Sequence, residues 1–312
     1  MASAVMAPVF MSSGEMIADR RFDYGRDLEL RGDLAGAADL FIQAVELAPG
    51  FASAWFALGD VREKQGDVEG AIEAFRRARA VDRGDLLGAG LRLMRLGAAT
   101  LAAMPPSYVT ALYDQYAPKF EQSLVGELGY CGPASLFDAV RTVCAARSAR
   151  MAFACAIDLG CGTGLAARAF AEQVEVFIGI DLSAGMIEQA RTTGLYAMLE
   201  TADALDGLRR QRDASADLIL AADMMIYLYD LVPLFAEIAR VLKPDAMFAF
   251  TAETHEGAGV VLGNGLRYAQ SERYLRDLLA GAGLVVASLA HASIRTEREV
   301  PVPGLVIVAR KC

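Results

Sequence analysis

The chain has 312 residues, enough for two domains at about 150 residues each. Hydrophobic residues make up 54% and charged residues 22%, which allows a large core and excludes a disordered chain. A formal net charge of −9 argues against wrapping a nucleic-acid backbone, and two histidines leave little for a Cys/His zinc site, so neither nucleic acid nor a metal is expected.

Five cysteines without a C-x-x-C pair fit a reducing, cytoplasmic location. Residues 1–15 are fairly apolar but lack a basic stretch, so they read as a loose leader rather than a secretion signal. No run of about 18 uncharged apolar residues occurs, and no membrane span is expected.

Residues 16–104 repeat with an offset of 34: Gly25 meets Gly59, Gly32-Asp33 meets Gly66-Asp67, Ala37 meets Ala71, Phe41 meets Phe75 and Ala44 meets Ala78. That period with this Gly/Ala/aromatic pattern is the helix–turn–helix signature of tetratricopeptide repeats. The small residues let antiparallel helices approach, and Phe41 and Phe75 are expected to fill the seam between neighbouring units. The second unit carries Trp55, Leu58 and Gly59 in a W-x-x-L-G arrangement, whereas Arg21 stands at the tryptophan position of the first. Leu87, Leu91, Met94 and Ala98 place one apolar stripe on a capping helix over Asp85–Met104. The array can hold a protein partner, mediate self-association or simply pack.

Met104-Pro105-Pro106-Ser107 then breaks the helical pattern, and residues 105–150 are assigned to a linker and a lid. Tyr113, Tyr116 and Phe120 share a helical face. They either dock the helix or cover a ligand.

From 151 to 312 strand and helix alternate, which predicts an α/β domain with a mostly parallel sheet. The run Ala152–Ile157 ends in Asp158 and leads into Gly160-Cys161-Gly162-Thr163-Gly164. Val174–Ile180 ends in Asp181, Leu195–Glu200 precedes Asp203, Ala216–Ala222 ends in Asp223, and Ala246–Ala252 ends in Glu253-Thr254-His255. Strands are also expected at Leu284–Leu289 and Leu305–Ala309, joined by a loop over Arg295–Gly304. Ligands of such sheets lie beyond the carboxyl ends of the strands, where these acids fall.

The glycines read G-x-G-x-G, with Leu165 where a dinucleotide fingerprint would bring the sequence toward its third glycine. The pattern suits S-adenosylmethionine better than a dinucleotide. Asp158 can assist its cationic amino end, and the loop of Gly160, Cys161, Gly162 and Gly164 suits its carboxylate. Asp181 can accept hydrogen bonds from the ribose hydroxyls and Asp203 from the adenine amino group, with Leu182, Met186, Ala204 and Leu205 as apolar walls. Asp223 is placed beside the methyl donor.

Residues from about 150 resemble the class I S-adenosylmethionine-dependent methyltransferases, with Asp158-Leu-Gly-Cys-Gly-Thr-Gly164 matching the cofactor loop. With its repeats, the chain resembles the bacterial members that contain tetratricopeptide repeats. The resemblance implies a Rossmann-like sheet of order 3-2-1-4-5-7-6 with an antiparallel last strand, and S-adenosylhomocysteine as product. Tyr113-Asp-Gln-Tyr-Ala-Pro-Lys-Phe120 is similar to the lid helix of many small-molecule members.

Candidates for acid–base chemistry are His255, Tyr227 and Tyr268, with Glu253 and Arg267 on the acceptor side. Each also has an ordinary structural reading, as a loop histidine or a packing aromatic. Gly257, Gly259, Gly263 and Gly265 make the loop before Arg267 either a mobile cover or a plain connection. The expected activity is O- or N-methylation of a small-molecule acceptor. Alternatives are methylation of a protein held by the repeats, and a non-catalytic cofactor-binding scaffold.

Overall fold

The computed structural model describes residues 9–117, 120, 129–297 and 300–312. Residues 1–8 of the expected leader, and Pro118 and Lys119 of the lid segment, lie outside the described residues. The chain divides into two compact units, one of residues 6–112 with 264–266 and one of 113–263 with 267–312.

The helical unit contains α1 (Met16–Leu30), α2 (Leu34–Leu47), α3 (Ala52–Lys64), α4 (Val68–Val81) and α5 (Ala89–Arg95). Each pair turns identically. Gly32 and Gly66 both take φ of +83°, which suits glycine. Asp33 then caps α2 by accepting from the Gly36 amide, and Asp67 caps α4 from the Gly70 amide, each at 2.9 Å. Phe41 and Phe75 are fully buried: each ring presses on the glycine of its own pair and shares a core cluster with the following unit, Phe41 with Ala54 and Leu58 and Phe75 with Leu87 and Leu93. A methyl at Gly25 would lie 2.6 Å from the Phe41 ring, and one at Gly59 would lie 2.6 Å from Phe75. The capping helix is shorter than expected. It begins only after Gly88, in the left-handed region at φ +74°, and ends before Gly97 at φ +72°.

In the second unit, α6 (Pro106–Tyr116) crosses the division between the units. Next come α7 (Gly132–Ala146), β1 (Phe153–Leu159), α8 (Leu165–Ala169), β2 (Val174–Asp181), α9 (Ala184–Thr192), β3 (Tyr196–Thr201) and α10 (Ala204–Arg209). They are followed by β4 (Ala216–Ala221), α11 (Val232–Val241), β5 (Leu242–Glu253), β6 (Val260–Leu262), β7 (Tyr268–Gln270) and α12 (Glu272–Gly281). The chain closes with β8 (Leu284–Ala292), β9 (Thr296–Glu297), β10 (Val300–Pro301) and β11 (Gly304–Lys311).

The main sheet runs β3-β2-β1-β4-β5-β11-β8. The pairs from β3 to β5 are parallel, and β11 runs antiparallel to both β5 and β8. This is the order 3-2-1-4-5-7-6 when the seven long strands are numbered along the chain. Alternate residues feed the two faces. Ile157, Ile219, Phe248, Phe250 and Ile307 pack with Leu208 of α10, Phe235 and Ile238 of α11 and Leu275 of α12. Ala156, Leu218, Leu220, Ala249 and Val308 pack with Leu136 and Val140 of α7 and Ala166 of α8. Both faces are covered, which explains the near-continuous apolar strands.

Two stretches read as loops carry strand. β6 and β7 pair antiparallel, with β7 beside the end of β5. β9 and β10 form a two-stranded ladder within the connection from β8 to β11. Both pieces are too short for a period-2 pattern to register. Among the described residues no helix is long and apolar enough to cross a membrane.

The repeat packing yields a direct test. Gly59→Ala must displace the buried Phe75 ring, so it should cost about 1–3 kcal/mol of stability in the helical unit. Denaturant unfolding followed by circular dichroism measures this, and an unchanged midpoint would contradict the packing.

Candidate active site

The site begins where β1 stops. Gly160, Gly162 and Gly164 have φ of +63°, +53° and +92°, so the loop reverses through three left-handed positions that suit glycine. The amides of Gly160 and Cys161 donate to Ile180 O at 2.8 and 3.1 Å, and the Gly164 amide donates to Cys161 O at 2.9 Å. The Gly162 amide donates to Asp181 Oδ2 and the Ser183 amide to Asp181 Oδ1, both at 2.8 Å. Asp181 thus ties the end of β2 to the loop. Its carboxylate still has acceptor capacity, since two oxygens offer about four lone-pair sites. Burial pushes its carboxyl above the usual range, against the hydrogen bonds from Ser183 and Gly162.

Asp158 is 1% exposed at the end of β1. Tyr196 Oη donates to its Oδ2 at 2.7 Å. Burial raises the carboxyl to about 7; the Tyr196 hydrogen bond works against this and the nearby Asp181 adds to it. Cys161 is buried, and desolvation pushes its thiol up.

Among the described residues, a methyl built at Gly162 would find only the Phe120 ring, at 3.9 Å, whereas one at Gly160 would meet Met224 at 3.0 Å. Thr163 Oγ1 is buried without a hydrogen-bond partner among the described residues. An orphaned hydroxyl and an open glycine amid Asp158 and Asp181 fit a polar cofactor laid across this loop. The helix that follows, α8, is only five residues long, so the loop itself is the main source of backbone amides here.

Asp203 caps α10. Its Oδ1 accepts from the amides of Leu205 at 2.9 Å and Asp206 at 3.4 Å, which holds Ala204 and Leu205 in the first turn. Leu182 follows Asp181 and is half-buried, whereas Met186 is almost completely buried in α9.

Beyond β4 and β5 lies a second cluster. Asp223 has φ of +58°, and its amide donates to Thr251 Oγ1 at 2.8 Å. Both its carboxylate oxygens accept from the one nitrogen Arg295 Nη1, at 2.5 and 2.6 Å, and Arg295 Nη2 contacts Glu253. The Arg295 side chain is 1% exposed. Burial works most strongly against its charge, but Asp223, Tyr227 and Tyr113 together outweigh it and hold the guanidinium above its ordinary value. Asp223 and Glu253 are therefore bridged by one cation, a residue that sequence reading left in a loop.

Tyr113 and Tyr227 meet through their hydroxyls, with ring centroids 5.5 Å apart, and Tyr113 also packs on Phe120 at 5.8 Å. A hydrogen bond joins Tyr227 to Arg267. Burial, with Tyr227 and Asp223 adding, holds the Tyr113 phenol well above its usual value, so it remains protonated. Asp114, next to Tyr113, accepts from Ser183 Oγ at 2.5 Å and from the Gly185 amide at 3.1 Å, docking α6 at the start of α9. The side chain of Tyr116 lies outside the described residues.

Three candidates sit differently from the catalytic reading. Tyr268 is 0% exposed on β7 and packs on Tyr229 at 5.7 Å, and burial pushes its phenol up to about 12. His255 staples its own loop: the Gly257 amide donates to Nδ1 at 3.0 Å, so Nε2 carries the proton toward Gly259 O at 3.1 Å. The loop of Gly257–Arg267 is accordingly held by this staple and by β6–β7. Glu253 is tied to Arg295. Sequence reading missed Arg295, Tyr196, Asp114 and Thr163 as site residues. Asp114 lay inside the lid motif and Thr163 inside the glycine loop, whereas Arg295 and Tyr196 carried no local signal.

Residues 157–250 match a methyltransferase domain family, and residues 23–85 match a tetratricopeptide repeat family. A dimethylglycine N-methyltransferase of Parasynechococcus marenigrum (strain WH8102) is 34% identical over 102 residues, which cover 31% of this chain and 36% of that protein. The chain thus matches about a third of that relative's length. The structure of Burkholderia thailandensis 1,6-didemethyltoxoflavin-N1-methyltransferase, with its substrate and S-adenosylhomocysteine bound, is 20% identical with a TM-score of 0.50. The match covers 68% of this chain and 92% of that one. Residues 157–250 thus match a methyltransferase domain, and the chain shares the fold of that solved methyltransferase. The segment that matches the tetratricopeptide repeats, residues 23–85, precedes it, in the order the resemblance implied.

Two substitutions test the electrostatics. Arg295→Met strands two largely enclosed carboxylates and should cost up to about 3 kcal/mol, much of it regained when Asp223→Asn and Glu253→Gln are added. Full stability of R295M alone would contradict the pairing. The Asp158 carboxyl rises from 3.8 to about 7 on folding, so the folded state holds an extra proton between those values and stability falls as pH rises through that window. Asp158→Asn should therefore melt above the parent at pH 8, by at most about 4 kcal/mol, with the gain vanishing toward pH 4. A melting-temperature series in pH reads the difference.

Proposed function

We propose that this chain transfers the methyl group of S-adenosylmethionine to a small-molecule acceptor and releases S-adenosylhomocysteine. The observation that carries the reading is the loop of three left-handed glycines held between Asp158 and Asp181, with Thr163 Oγ1 buried and unsatisfied beside it. When bound, S-adenosylmethionine supplies a sulfonium-activated methyl group.

The residues present can hold each part of that molecule. Asp181 has acceptor capacity left for the ribose hydroxyls, and Asp203 Oδ2 can take the adenine amino group. Leu182, Ala204 and Leu205 give the base its apolar walls. Asp158 faces the cationic amino end, and Thr163 Oγ1 gains a partner there.

Positioning carries most of the catalysis in this reading. The Tyr113 phenol stays protonated, His255 is committed to its own loop, and Asp223 and Glu253 are held by Arg295. Such groups orient an acceptor rather than deprotonate it. An acceptor that needs no base, an amine or a carboxylate, suits them best. The dimethylglycine N-methyltransferase match supports an amine. Phe120, Tyr113 and Tyr227 line the acceptor side, and Arg267 reaches it through Tyr227. The repeats provide a surface for a protein partner or a second copy.

Asp181→Ala removes both the loop tie and the ribose acceptor. It should weaken S-adenosylmethionine binding by about 1–3 kcal/mol in calorimetric titration. Unchanged affinity would refute the assignment.

A further inference from the structure

We propose that Tyr196 is a positioning residue of the cofactor site, holding the Asp158 carboxylate in the orientation that meets the cofactor's cationic amino end. The inference rests on the functional reading above.

Four observations converge on this side chain. Tyr196 opens the edge strand β3, where it faces Phe177 of β2. The next pair is Ile178 with Met198, so the register slips here and two residues of β3 oppose one of β2. Such a bulge re-aims a side chain that strict alternation would send elsewhere. The ring then occupies space that two glycines leave open. A methyl at Gly179 would lie 2.8 Å from it, and one at Gly164, the last glycine of the loop, 3.3 Å. Phe177 braces the ring edge to face at 5.9 Å. Finally, the hydroxyl reaches 38 residues back along the chain to donate to Asp158 Oδ2 at 2.7 Å.

A packing tyrosine needs none of the last contact. Phenylalanine would fill the same space, and the hydroxyl would then be a buried polar atom without a purpose. Here it supplies a donor to a carboxyl that is otherwise enclosed. The titratable groups around Asp158 among the described residues are Tyr196 of β3, Asp181 of β2, Cys161 of the loop and Tyr130 ahead of α7. Asp181 repels the ionised form, and Tyr196 favours it by its hydrogen bond. The phenol thus sets both where the carboxylate points and how readily it carries charge.

The test compares the full chain with Tyr196→Phe, Asp158→Asn and the double variant. S-adenosylhomocysteine is titrated calorimetrically from pH 6 to 8.5, and melting temperatures of the cofactor-free proteins are recorded over the same range. Y196F keeps the ring, so it should fold and, at pH 6 where the Asp158 carboxyl is mostly protonated, melt close to the parent. Its affinity at pH 7.5 should fall about tenfold, the scale of losing a hydrogen bond to a charged group, and should recover at a higher pH than in the parent. In the D158N background the same change should alter affinity by less than about twofold, because the partner is gone. In the cofactor-free series, the pH-dependent fall in stability should extend higher in Y196F than in the parent and disappear in D158N. Parental affinity and pH profile in Y196F, or additive losses in the double variant, would overturn the role of Tyr196 while leaving the cofactor reading intact. A parent chain that takes no S-adenosylhomocysteine at any pH would overturn both.

Discussion

The Asp181 carboxylate fastens the end of β2 to the loop after β1, and the rest of the site takes its geometry from that link. One oxygen holds the Gly162 amide and the other the Ser183 amide, each at 2.8 Å. The loop can follow this path only through left-handed backbone, which three glycines supply. Asp158 is left buried beside it and Thr163 Oγ1 inside it, and among the described residues only the Phe120 ring comes near Gly162. Ser183 in turn caps α9 through the Met186 amide and receives Asp114 from α6. A single buried carboxylate therefore organises the loop, the start of one helix and the docking of another.

The site holds charge where folding would exclude it. Asp158 is enclosed at a cost that rises with pH, and Arg295 is buried with two carboxylates around it. A buried ion pair of this kind adds little net stability over an apolar core, although breaking it is expensive. Asp223 adds a left-handed backbone conformation at a non-glycine position. Conflicts between local preference and fold gather at the carboxyl ends of β1, β4 and β5, where parallel sheets bind their ligands.

Much of this was legible in the sequence because it is written locally. Apolar runs ending in Asp158, Asp181 and Asp223 marked the strands and their carboxyl ends, and G-x-G-x-G marked the turn. The 34-residue offset placed the paired helices, since Gly25 and Gly59 must admit Phe41 and Phe75. What stayed hidden depends on distant contacts. Arg295 meets Asp223 across 72 residues, and Tyr196 finds Asp158 only through a register slip between β2 and β3. His255 looked like a base from its position after β5, but the backbone of its own loop takes both ring nitrogens. The helix α7 was within reach: Leu136, Val140 and Val143 form a stripe that periodicity can find.

The central claim is that S-adenosylmethionine lies across the glycine loop, between Asp158 and the ends of β2 and β3. Hydrogen exchange of the full chain, with and without S-adenosylhomocysteine and read by mass spectrometry, tests it most directly. The account predicts added protection concentrated in peptides covering residues 158–164, 181–186 and 203–206. Binding that leaves those peptides unchanged, or that protects only the repeats, would contradict it.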